Sequence, residues 1–63
     1  MTIQFYPAEK DAKIFDSTGK WIVSLAYAPS TQRIDEVLRI LGLRRREAWQ
    51  GMDWGFEARL RRR

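Results

Sequence analysis

Hydrophobic residues recur at two different periods along this chain, and the change of period divides it into strands and a helix. Between Ser30 and Leu41 the apolar positions Ile34, Val37, Leu38 and Leu41 fall at i, i+3, i+4 and i+7, one stripe of an α-helix. Both ends carry matching signals. Ser30 is placed to cap the first turn with its hydroxyl, and Pro29 and Ile34 occupy the positions of a hydrophobic staple. Gly42 followed by Leu43 predicts a left-handed ending in which Leu43 touches Leu38. Asp35 and Arg39 are spaced to pair at i,i+4. A helix of about eleven residues does not persist alone in water, so it needs a surface to lie on.

The flanking segments supply that surface. Thr2 to Tyr6 is β-branched and aromatic and stops at Pro7, which predicts a short strand at a sheet edge. Pro7 to Asp11 reads as a connecting turn. Ala12–Phe15 and Lys20–Ala28 flank Asp16-Ser17-Thr18-Gly19, the signature of a hairpin closed by a type I turn with a glycine bulge. Counting back from that turn puts Phe15 opposite Trp21 and Ile14 opposite Ile22. One face then holds Phe15, Trp21, Val23, Leu25 and Tyr27, the other Ala12, Ile14, Ile22, Ser24 and Ala26. The bulk of the first face predicts that the helix covers it.

Beyond Gly42, Trp54, Phe56, Ala58 and Leu60 alternate with Gly55, Glu57, Arg59 and Arg61, the period of a half-buried strand. A helical reading would gather Trp49, Met52, Phe56 and Leu60 on one row, but Gly51 and Gly55 would each cost it about 1 kcal/mol. The strand reading stands, with Arg44–Gln50 as a loop or a single helical turn. The expected fold class is α+β, a small antiparallel sheet in the order β-β-β-α-β with one helix on one face, in a single domain over residues 1–63.

Composition narrows the chemistry. The 63 residues contain neither cysteine nor histidine, so disulfides, thiolate metal sites and the commonest general base are absent. Neighbouring carboxylates on the helix, Asp35 and Glu36, point about 100° apart and share no reacting atom. Gly19-Lys20 lacks the earlier glycine and the following helix of a phosphate loop. These features predict a protein that is not an enzyme and takes no cofactor or metal. With no long apolar run and no basic-then-apolar leader pattern, the expectation is a soluble cytoplasmic protein without a membrane partner.

The net charge of +4 is unevenly placed. Residues 1–29 and 30–43 each cancel, so the excess lies in residues 44–63. There Arg44, Arg45, Arg46, Arg59, Arg61, Arg62 and Arg63 face Glu47, Asp53 and Glu57. Arginine and tryptophan dominate interface hot spots, and methionine adapts to irregular partners, so Arg44, Arg45, Arg46, Trp49, Met52, Arg59 and Arg61 form the expected partner-binding set, with the alternative that Trp49 or Met52 folds back to close the end of a thin core. The outer sheet face, expected to carry Ile14, Ile22, Ser24, Ala26, Glu57, Arg59 and Arg61, could pair two copies as a homodimer. Single-stranded RNA on that face is disfavoured, because the aromatic residues are expected under the helix.

Two functions follow as expectations. The first is a non-catalytic protein-interaction module, with the general character of small phage inhibitors or adaptors that dock on a larger protein or nucleoprotein complex such as a polymerase, nuclease or CRISPR machine. The second is a small basic protein that binds DNA or RNA directly through its C-terminal arginines. Leu38→Asp places a charge in the contact between helix and sheet. It is expected to abolish the cooperative thermal transition and the helical far-ultraviolet signal.

Overall fold

The computed structural model describes residues 1–26 and 30–63. Tyr27, Ala28 and Pro29 lie outside the described residues, and with them the staple role of Pro29 and the last two positions expected of the third strand. The elements follow in the order β1 (Thr2–Tyr6), β2 (Asp11–Phe15), β3 (Trp21–Ala26), α1 (Thr31–Ile40), β4 (Leu43–Arg45), β5 (Gln50–Met52) and β6 (Gly55–Arg62). Every strand pairing is antiparallel, in the spatial order β3-β2-β1-β6, with β4 and β5 both on the far side of β6. The fold is α+β, with α1 packed on one face of the sheet. No helix among the described residues is long and apolar enough to cross a membrane.

The local signals act as their chemistry requires. Ser30 Oγ accepts from Arg33 N–H at 3.2 Å and opens α1. Gly42, at φ 77°, closes it by donating to Arg39 C=O at 3.1 Å. In the hairpin turn, Asp16 Oδ1 accepts from the backbone N–H groups of Thr18 and Lys20 and from the Thr18 hydroxyl, while Gly19 sits at φ 86°. Pro7–Glu9 form one 3-10 turn that leads, through Lys10 in the left-handed region at φ 51°, into β2.

Four expectations need correction. β1 is central, flanked by β2 and β6. Pro7 stands after the strand, so its missing N–H costs the ladder nothing. Residues 43–52 contribute two short strands to β6 instead of a loop or helical turn. Leu41 is the C-cap and half exposed, leaving Ile34 and Leu38 as the buried part of the stripe. Trp54 precedes β6, is 41% exposed and lies against Tyr6 with ring centroids 4.9 Å apart.

The largest correction concerns the faces of the hairpin. Phe15 pairs with Trp21 as expected, but Ile14 pairs with Val23, so Ile22 is an extra residue in the ladder. Without this bulge Ile22, Ser24 and Ala26 would join Ile14 under the helix, and Val23 and Leu25 would face outward. A fully buried aliphatic side chain is worth about 1.5–3 kcal/mol, against about 1 kcal/mol for the ladder bond a bulge forfeits, so covering Val23 and Leu25 in place of Ile22, one aliphatic side chain more, favours the bulge. The helix therefore covers the Ala12 and Ile14 side. The core is Ile3, Phe5, Ala12, Ile14, Ala58 and Leu60 from the sheet with Ile34 and Leu38 from α1, bordered by half-buried Met1, Leu25, Leu43, Trp49 and Phe56.

Gly55 passes close against β1. Its φ is 152°, and a Cβ built there would lie 2.1 Å from the Phe5 carbonyl oxygen, a backbone atom that cannot move aside. At Gly51 a Cβ would meet nothing within 4 Å. Gly55→Ala is expected to destabilise by about 2–5 kcal/mol through strain and overpacking. Gly51→Ala in the same denaturant titration should shift the midpoint far less, and equal shifts would contradict the close approach.

Candidate functional site

The face of the sheet opposite α1 is ordered by strand register. One cross-strand row runs Trp21, Phe15, Thr2 and Arg59 over β3, β2, β1 and β6. The next runs Ser24, Lys13, Gln4, Glu57 and Gln50. Beyond the Arg59 end of the first row, Arg61 lies directly opposite Arg44 on β4. Tyr6 and Trp54 close the opposite end of the face, with Lys13 Nζ 5.8 Å from the Tyr6 ring centroid. The exposed face thus carries Phe15 and Trp21, the aromatic pair expected in the core. Ile14, expected on the outside, is 1% exposed. Ser24, Ala26, Glu57, Arg59 and Arg61 take the outward positions expected of them.

Hydrogen bonds fix the middle of this face. Gln4 Nε2 donates to Glu57 Oε1 at 3.1 Å, and the Tyr6 hydroxyl donates to Gln4 Oε1. Trp21 is 57% exposed, yet its indole N–H donates to Ser24 Oγ at 3.2 Å, which holds the ring along its own strand.

The arginines divide into those bound within the fold and those facing outward. Arg45 shares the Leu60 side of the sheet and grips Asp35 on α1 with both arms of its fork, Nε to Oδ1 at 2.7 Å and Nη2 to Oδ2 at 2.9 Å. Its guanidinium also stands 5.3 Å from the Trp49 ring centroid. This replaces the expected pairing of Asp35 with Arg39, because the planar fork of a strand residue matches both carboxylate oxygens. Trp49 packs beside Phe5 at the margin of the core, with its indole N–H buried and without an acceptor among the described residues. Met52 is half-buried on β5. Arg45 and Trp49, both of the expected partner-binding set, are therefore partly buried and engaged within the fold.

Arg59 has an intermediate character. Its Nε donates to Glu47 Oε1 at 2.9 Å, and its backbone N–H reaches the same oxygen. These bonds, the side-chain one first, hold the Glu47 carboxyl below its ordinary range, and the side-chain bond followed by the carboxylate charge pushes the Arg59 guanidinium up. Arg44, Arg46 and Arg61 take part in none of the ion pairs among the described residues. Arg46 lies next to Arg59, since its backbone N–H donates to Arg59 C=O at 2.7 Å.

Charge counting along residues 44–63 located these arginines, but the placement of Phe15 and Trp21 escaped it because one bulge residue reverses the phase of β3. Among the described residues no group of three or more acidic side chains is gathered to hold a metal ion.

A folded-state carboxyl held below its ordinary value stabilises the protein above the unfolded value, about 4.3 for glutamate, and loses that contribution as pH falls through the depressed folded value. Thermal midpoints should therefore fall as pH drops below about 4.3. Glu47→Gln should lower the midpoint at pH 7 and flatten that acid slope. An unchanged slope would show that the Glu47–Arg59 pair does not form in solution.

Comparison with known proteins adds no assignment: no protein-family model, no curated protein and no solved structure matches this chain.

Proposed function

We propose that this is a non-catalytic nucleic-acid-binding protein whose working surface is the open face of the sheet at its arginine end. The observation that carries the reading is the direct opposition of Arg44 and Arg61 on adjacent strands, with no carboxylate paired to either among the described residues. Like charges directly opposite in a sheet are destabilising, so the isolated fold gains nothing from this arrangement. An anion laid across the pair turns the repulsion into attraction. Arg46 and the outward-facing Arg59, whose side chain is 67% exposed, extend the patch along the same edge. A ladder of planar donors along a strand edge suits a partner with charge repeated along its length, as in a phosphodiester backbone.

The protein-docking reading keeps a second place on one specific observation. Ile40 and Leu41, at the end of α1, are 80% and 50% exposed, an apolar pair that phosphate contacts leave unused. A larger nucleic-acid-handling complex, such as the host polymerase, nuclease or CRISPR machine that a phage-type inhibitor targets, would offer both a polyanion and a protein surface.

With three unpaired arginines on phosphates, the slope of log affinity against log salt is expected at roughly −2 to −3. Arg61→Glu should weaken binding to DNA and RNA at least tenfold while leaving the unfolding midpoint unchanged or raised, because it removes a repulsion. A shallow salt slope together with intact binding by Arg61→Glu would overturn the nucleic-acid reading and favour the docking one.

A further inference from the structure

We infer that the nucleic acid taken by this face is single-stranded, with an unpaired base stacked on Trp21 and Phe15 and the strand crossing the sheet toward Arg59. The inference rests on the nucleic-acid reading and deepens it. Its first support is a chain of grooves. One, of about 270 Å³, is walled by Lys13, Phe15, Trp21 and Ser24. A second, of about 370 Å³, shares Phe15 with the first and continues over Gln4 to Glu57. A third, of about 270 Å³, shares Thr2 and Glu57 with the second and ends at Arg59 and Glu47. Their sequence across the face runs from the aromatic edge to the Arg59 edge. It crosses three strand spacings, roughly 14 Å.

The chemistry along these three grooves changes in a fixed order. At the β3 end lie two aromatic rings, one of them held by the Trp21–Ser24 hydrogen bond with much of its surface open to solvent. Such a ring accepts any base, because every base has a π-face, and being already oriented it loses little freedom on binding. In the middle, the amide of Gln4 and the carboxylate of Glu57 meet base edges, the carboxylate repelling phosphate and accepting from exocyclic amino groups. At the far end Arg59, the one arginine lining the third groove, meets the backbone, with Arg46 and the Arg44–Arg61 pair beyond it. A duplex keeps its bases stacked inside and offers no π-face to Trp21, whereas a single strand can present bases at one end and phosphates at the other.

The test measures anisotropy of labelled mixed-sequence 12-nucleotide DNA and RNA at 0.15 M salt, single-stranded and as duplexes, with the full chain. Single strands are expected to bind about tenfold tighter than duplexes. Trp21→Ala should cost the single strands about tenfold and the duplexes less than twofold, with Trp21→Phe recovering most of the loss. Circular dichroism confirms that each variant is folded, and Phe15→Leu provides a second, independent removal of stacking surface. Equal affinity for single strands and duplexes, with Trp21→Ala and Phe15→Leu both indifferent, overturns the inference while leaving the phosphate patch standing. Binding to neither form overturns both. A sedimentation dimer that Trp21→Ala dissolves also overturns the inference, because the face then belongs to a second copy.

Discussion

The pairing of Thr2–Phe5 with Phe56–Arg59 is the interaction on which the other contacts depend. It sets strands from opposite ends of the chain side by side at the centre of the sheet, and it brings four of the eight buried side chains, Ile3, Phe5, Ala58 and Leu60, into one layer. Met1 C=O extends the ladder by accepting from Leu60 N–H at 2.8 Å. On one side of this pair the hairpin adds Ala12 and Ile14, and on the other β4 and β5 complete the edge. The close passage of Gly55 beneath the Phe5 carbonyl is the geometric condition for that register. A core of eight side chains has little reserve, and small domains of this kind bury only about 60% of their unfolded surface. That scarcity explains why Trp49 and Arg45 are drawn into the margin of the core instead of standing free in a loop.

How far the fold could be read from the residues depends on whether each signal was local. The helix, its Ser30 cap, its Gly42 stop and the Asp16–Gly19 turn are each decided within a few positions, and all are present as read. The alternation of Phe56, Ala58 and Leu60 is also local, and it marked β6. What escaped was set by tertiary competition. Whether β1 is an edge or a centre depends on which strand arrives from the far end of the chain. The bulge at Ile22 reflects a choice between burying Val23 with Leu25 or Ile22 with Ser24 and Ala26, and no turn chemistry announces it. β4 and β5 are three residues each, too short for a period to show.

The same distinction governs the functional surface. Charge counting identified the arginine-rich segment but could not separate Arg45, locked to Asp35 on the helix side, from its neighbour Arg44 on the outer side. Adjacent residues in a strand face opposite ways, so a run of three cations is divided between two surfaces once the register is known. The aromatic pair was assigned to the wrong surface by one residue of register. The expectation against a base-stacking sheet rested on that assignment and falls with it.

The central pairing has a consequence for how the protein comes into being. A ribosome delivers Thr2–Tyr6 well before Gly55–Arg62, so β1 must wait through the synthesis of everything between them before its second neighbour exists. The hairpin of β2 and β3 and the capped helix can form as they emerge, but the core layer that holds them together closes only when β6 arrives. Long-range pairing of this kind slows folding and leaves apolar strand surface open in the interval. Vectorial synthesis thus makes acquisition of this fold wait on the emergence of β6, whatever has formed before it.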